Sequence, residues 1–186
     1  MKVFQYILSD YYRYYGGGNF NLSRKAWVVL TALLGRNHCF SYTFWLRLAS
    51  CPNVFRPLAR LMHRRLSRKY GLQIPRGTRI GYGLYIGHGI GIVINPGTVI
   101  GNNCNLSQFL TVGSNHNTPA VIADEVYIGP SVCIVENVHI GRGATIGAGA
   151  VVVKDVPEGA TVAGVPARVL NCDHPGRYIG RKWPHC

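Results

Sequence analysis

Residues 80–152 read IGYGLYIGHGIGIVINPGTVIGNNCNLSQFLTVGSNHNTPAVIADEVYIGPSVCIVENVHIGRGATIGAGAVV. An aliphatic residue returns there at every sixth position: Ile80 and Ile86, then Ile94, Ile100, Leu106 and Val112, then Ile122, Ile128, Ile134, Ile140, Ile146 and Val152. The count slips twice, by two residues after Ile86 and by four after Val112, and each slip holds a histidine, His88 and His116. A six-residue step is neither a helical period nor a sustained two-residue alternation. It suits a coil with three short flat sides, each hexad supplying one strand and one corner. Glycine often follows the aliphatic residue, as at Gly81, Gly101, Gly129 and Gly141, where a small residue lets the corner turn without a side-chain clash. Parallel pairing at about 4.8 Å would stack about five turns into a prism with an aliphatic core.

The rest of the chain differs in composition, and the 186 residues divide on this reading into a basic, aromatic helical segment (1–71), the coil (72–170) and a tail (171–186). The net charge of +13 belongs to the first part, which holds twelve Lys and Arg against Asp10 alone; residues 71–186 hold eight against six acids. So basic a surface attracts polyanions. A short helix is expected within residues 1–20, a second from Arg24 to Leu34 behind Asn21–Ser23 and before Gly35, and a third from Ser41 to Ala49. A fourth runs from Pro57 to Tyr70, with Arg56, Arg60, Arg64 and Arg68 along one face and Leu58, Leu61, Met62 and Leu66 mostly on another. It reads first as a solvated face packed on the main domain. The alternative is peripheral contact with an anionic membrane through residues 24–70, with Trp27, Phe40, Tyr42, Phe44, Trp45 and Phe55 as interfacial aromatics. No nucleic-acid-binding motif accompanies the charge.

Six cysteines, at 39, 51, 104, 133, 172 and 186, have neither C-x-x-C pairing nor zinc-site spacing, which suits free thiols in a reducing cytoplasm. The first fifteen residues lack the apolar core of a secretory leader, and the longest apolar run, Ala26 to Leu34, is about half the ~20 residues a bilayer crossing takes. The expected location is the cytoplasm, with the inner face of its membrane as the peripheral option.

From residue 72 to about 170 the chain resembles the hexapeptide-repeat acyltransferases, whose fold is a left-handed parallel β-helix. IGAGAVVVKDVPEGATVAGVPARVL is similar to the closing segment of family members that use acetyl-CoA, and LYIGHGIGIVIN with LTVGSNHNTPAVI resembles the serine acetyltransferases and their relatives in polysaccharide gene clusters. The implied fold is mainly β, a left-handed β-helix behind a short α-helical N-terminal segment. The implied co-substrate is acetyl-CoA, with no metal, and the implied assembly is a homotrimer with active sites between neighbouring coils.

Acetyl transfer to a hydroxyl needs a base, for which histidine is suited by a pKa near working pH. His88 lies where an insertion must bulge from a rigid wall, and the D-H-x-x-G-I-V segment that carries the catalytic histidine of serine acetyltransferases matches Gly87 to Val93. His116 matches that family's second histidine, which there helps bind the acceptor and in sugar acetyltransferases of the wider superfamily is itself the base, so the resemblance makes it a catalytic candidate beside His88; Asn115 next to it joins the acceptor-binding set. Two departures matter: the aspartate before the catalytic histidine is Gly87 here, and a second family aspartate falls on Gln73. Both positions belong to the expected substrate site, and without those acids an ammonium group loses its counter-charge. This favours a neutral hydroxyl, most plausibly a sugar in surface-polysaccharide synthesis, over the alternative, L-serine. For coenzyme A, Gly113 and Ala148 leave room for the pantetheine arm, and Lys154 and Arg168 suit its phosphates. Cys133 and Ser114 show no evident activating neighbour for covalent catalysis. Two other classes share the coil: a γ-carbonic-anhydrase-like zinc protein, for which His88, His116 and His139 are poorly spaced, and a non-catalytic scaffold.

Overall fold

The structure is a computed structural model that describes residues 2–116 and 118–184; Cys186 lies outside them. Four helices, α1 (Lys2–Tyr15), α2 (Leu22–Leu34), α3 (His38–Ser50) and α4 (Arg56–Tyr70), precede a parallel β-helix. Its first face stacks β1 (Arg79–Ile80), β4 (Val99–Ile100), β7 (Val121–Ile122) and β10 (His139–Ile140). The second stacks β2 (Tyr85–Gly87), β5 (Asn105–Ser107), β8 (Tyr127–Ile128), β11 (Thr145–Ile146), β13 (Thr161–Ala163) and β14 (Arg168–Asn171), of which β14 alone is antiparallel to its neighbour. The third stacks β3 (Val93–Ile94), β6 (Thr111–Val112), β9 (Cys133–Ile134) and β12 (Val151–Val152). Four complete coils result, with part of a turn at each end where Gln73 bridges to Val93 and Val156 to Ile140; the five-turn estimate is slightly long.

The six-residue count is the inward register. Ile86, Leu106, Ile128 and Ile146 are stacked and buried, as are Ile94, Val112, Ile134 and Val152; Ile80 is half-buried at the first edge. Each hexad also buries the residue two positions earlier, such as Leu84, Cys104, Val126 and Ala144, so every unit gives the core two side chains. The glycines after the aliphatic residue serve mainly close stacking. A Cβ at Gly101 would lie 2.6 Å from the Ala123 carbonyl carbon, and one at Gly141 2.5 Å from the Glu158 nitrogen. Left-handed backbone falls elsewhere, at non-glycine residues including His88, Asn103, Phe109 and Ser131.

The helical segment packs round a second core of its own, Ile7, Val28, Phe40, Phe44, Trp45 and Ala59, while Cys39, Tyr42 and Leu46 of α3 join the core of the coil and cover its first end. The side chain of Asn21 caps α2 by accepting from Arg24 N, and Gly35 ends it in the left-handed region. α3 begins three residues earlier than expected because Asn37 Oδ1 accepts from Phe40 N. The face reading of α4 needs correction: it buries Ala59 and His63, whereas Leu58 and Leu61 point outward. Four of the six aromatics set aside for a membrane, Phe40, Tyr42, Phe44 and Trp45, are buried in α3, leaving Trp27 and Phe55 exposed.

A buried polar joint ties α1 and α3 to the first coil. Arg47 makes a two-pronged bond to Asp10, at 2.8 and 3.0 Å, and donates to the Ile80 and Gly81 carbonyls. Asp10 in turn accepts from Leu84 N, Ser9 from Gly83 N, and Arg13 donates to the Gly83 carbonyl and Asn105. These side chains do for the edge strand what a further coil would, satisfying backbone groups otherwise stranded. Burial pushes the Asp10 carboxyl up, while Arg47 and the Leu84 amide pull it back. The segment after β14 returns along the second face, where Tyr178 O accepts from Asn105, Gly180 O from Arg13, and Lys182 pairs with Glu125. The second face is thereby covered on both sides of β5.

Candidate active site

The two slips fall on two corners. His88 follows β2 and precedes β3, at the corner between the second and third faces; His116 follows β6 and precedes β7, at the corner between the third and first. Both are exposed. They flank opposite edges of the third face, on successive coils, and one chain does not gather them at a common corner.

The His88 corner is held from the helical side. Tyr14 Oη accepts from Ile86 N at 2.9 Å and donates to Ile86 O at 3.1 Å, and Cys39 Sγ accepts from Gly89 N at 3.1 Å. Between these anchors His88 sits at φ 53°, its carbonyl accepting from Ile90 N. An exposed side chain on a fixed, left-handed backbone is a firm mount for a reactive group. Burial pushes the Tyr14 phenol well up and the Cys39 thiol up, so both act as neutral anchors. Exposed Ile90 and Phe109 flank the corner; the Phe109 ring packs where a Cβ on Gly91 would go. The pairing of Gly87 with Ser107 carries Gln108 alongside His88, and a side-chain oxygen of Gln108 is buried without a hydrogen-bond partner among the described residues. Such an acceptor is costly unless a ligand satisfies it.

The His116 corner carries a carboxylate. Glu136 Oε1 is 2.7 Å from His116 Nδ1, while its Oε2 accepts from the amides of Asn115 and His116 at 2.6 and 2.8 Å. The His116 side-chain contact, followed by the two amides, pulls the Glu136 pKa down to about 2. This fixes the ring through Nδ1 and turns Nε2 away from the carboxylate. Ser114 has a neighbour too: its hydroxyl donates to Glu136 at 3.4 Å, whereas Cys133 stands exposed on the third face.

Of the remaining expected site residues, Gly87 precedes His88 directly, and Gln73 lies at the start of the third face against Val93. Gly113 opens the His116 loop with nothing among the described residues within 4 Å of an added Cβ, and Lys154 is exposed at the same corner two coils on. Ala148 belongs to the His88 corner, and Arg168 lies on β14 of the second face. The four coenzyme residues thus form no single patch within a chain. Sequence reasoning missed Glu136, Gln108, Tyr14 and Cys39. The first was within reach, since pairing Val112 with Ile134 puts Ser114 level with Glu136. Among the described residues no group of three His, Cys, Asp or Glu is gathered for a metal ion, and His139 points outward from the first face.

Residues 119–154 match the family described as bacterial transferase hexapeptide (six repeats). A soybean serine acetyltransferase apoenzyme superposes with a TM-score of 0.60 at 30% identity, covering 89% of this chain and 67% of that one. This chain belongs to the hexapeptide-repeat transferases. Within that family it is also similar to a serine acetyltransferase of Synechococcus elongatus, 34% identical over 139 residues, which are 71% of this chain and 54% of the relative. The Neisseria gonorrhoeae serine acetyltransferase solved in complex with serine matches at TM-score 0.66 and 29% identity, covering 90% of this chain and 68% of that one. A serine acetyltransferase complex with CoA matches at TM-score 0.60 and 32% identity over 75% and 60% of the two chains. The chain spans about half the length of the curated relative it matches.

Proposed function

We propose that this chain is an acetyl-CoA-dependent O-acetyltransferase in which His88 is the general base. The observation that carries the reading is that the two histidine-bearing insertions interrupt a coil whose solved relatives include serine acetyltransferases bound to CoA and to serine. His88 takes the proton of the acceptor hydroxyl as the oxygen attacks the thioester carbonyl. The tetrahedral intermediate collapses, the C–S bond breaks, and the histidinium returns the proton to the departing thiolate. His116, oriented by Glu136, binds and polarises the acceptor from the other side. Because these histidines stand on different corners, the complete site takes two chains, and a homotrimer supplies one such junction per pair of neighbours. Gly113 and Lys154 from one chain and Ala148 from the next then border a shared groove for the coenzyme; Arg168 reaches it from β14.

The acceptor that the relatives favour is L-serine, and Glu136 answers the objection from Gly87 and Gln73, since it brings a carboxylate to the junction to meet an ammonium group. A neutral sugar hydroxyl is the second reading, favoured by those two replaced aspartates. Gly87 offers a direct discriminator: a Cβ there meets only Tyr85 at 3.4 Å, so Gly87→Asp fits the backbone. The test is thiol release from acetyl-CoA with L-serine, sugar nucleotides and oligosaccharide repeat units as acceptors. Serine turnover by the natural chain supports the first reading. Serine turnover gained only in Gly87→Asp, beside sugar turnover in the natural chain, supports the second; no thiol release with any of them overturns acetyl transfer.

A further inference from the structure

We propose that the outer face of the helical segment docks on a bilayer surface containing anionic phospholipid. α2 is apolar on two sides: Val28 and Ala32 face the core, while Trp27, Leu30, Leu33 and Leu34 are exposed on the far side. Exposed Val54 and Phe55, in the turn between α3 and α4, and Leu58 and Leu61 of α4 extend the apolar surface. A groove of about 450 Å³ connects the two elements, with Leu33, Val54, Phe55 and Leu58 among its walls and Asn53 as the one polar side chain among the described residues that line it. Exposed apolar side chains gathered about an apolar groove mark an interaction site.

The charge around it selects the occupant. Between Asp10 and Asp124 the sequence contains no Asp or Glu, and Asp10 is buried against Arg47. The solvent side of α4 presents Arg60, Arg64, Arg65, Arg68 and Lys69. Arg60, Arg64 and Arg76 border a recess of about 470 Å³ with Leu61 and Gln73, roomy enough to admit a lipid phosphate beside the guanidinium groups. A second copy docked through this face would set arginines against arginines, whereas an anionic bilayer complements them. No helix among the described residues is long and apolar enough to cross a membrane, so the face lies in the interface. An apolar insertion with a basic rim is the two-signal combination that gives stable peripheral attachment. Only part of the aromatic set suggested by the sequence takes part; the exposed leucines supply the rest. This inference goes beyond acetyl transfer and stands or falls separately from it.

The test is co-sedimentation of the full chain with extruded vesicles of pure phosphatidylcholine and of phosphatidylcholine mixed with phosphatidylglycerol. Binding is expected to the mixed vesicles and to weaken towards 1 M salt, where the Debye length is about 3 Å. The Arg60→Gln/Arg64→Gln double variant should bind roughly 30-fold more weakly, the loss of two basic contacts. Leu33→Glu should abolish apolar insertion with the circular-dichroism melt unchanged. Absence of binding to the mixed vesicles, or equal binding to both compositions, overturns the proposal. So does concentration-dependent self-association in sedimentation equilibrium that Leu33→Glu removes while vesicle binding is absent.

Discussion

Glu136 gives His116 one orientation, and that contact is resistant to acid. Its carboxylate is held at about 2 against an ordinary 4.5, so the contact is fully formed above the ordinary value and is lost only as pH falls through about 2. Glu136→Gln is expected to lower kcat by about 10-fold with KM for acetyl-CoA unchanged, less than the ~100-fold cost of losing a general base. Steady-state kinetics on both substrates check this. The candidate histidines were legible because each interrupts a regular count. Glu136 was not read because the hexads were followed along the chain rather than across the stack, where Val112 meets Ile134. Tyr14 and Cys39 were beyond any local pattern: they touch the His88 corner from 72 and 50 residues away.

At the scale of elements, the helical segment stabilises the edge on which His88 is mounted. Breaking the Asp10–Arg47 pair leaves a charge buried without its partner, so Arg47→Met should cost about 3–5 kcal/mol of stability, measured by urea unfolding. His63 on α4 adds a pH dependence. Burial, reinforced by Arg76, pushes its pKa from 6.5 down to about 4, while its ring contacts the Tyr42 hydroxyl at 3.1 Å. The unfolded chain thus takes up a proton below pH 6.5 that the folded chain refuses until about 4. Stability is complete above 6.5 and falls through that interval by on the order of 3 kcal/mol. Thermal melts against pH should show this slope, and His63→Gln should flatten it. The caps of α2 were readable from Asn21 and Gly35, but the burial of α3 was not, since its aromatics suit a core and an interface equally well.

For the whole molecule, the central consequence of the proposed function is a site divided between chains. The count of six fixed the stacking, but a repeat read from one chain carries no information about which corners meet in an assembly. If neighbouring chains supply His88 and His116, then His88→Ala and His116→Ala chains, each nearly inactive alone, should complement when co-expressed as mixed trimers. About a quarter of the junctions would then be intact. Thiol release from the purified mixture is the readout. The most direct test of the central claim is the kcat for coenzyme A release with L-serine, and with the sugar acceptors, in the natural chain against His88→Ala. A fall of roughly 100-fold or more with the fold unchanged is expected; retention of most of the activity would contradict the assignment of His88 as the base.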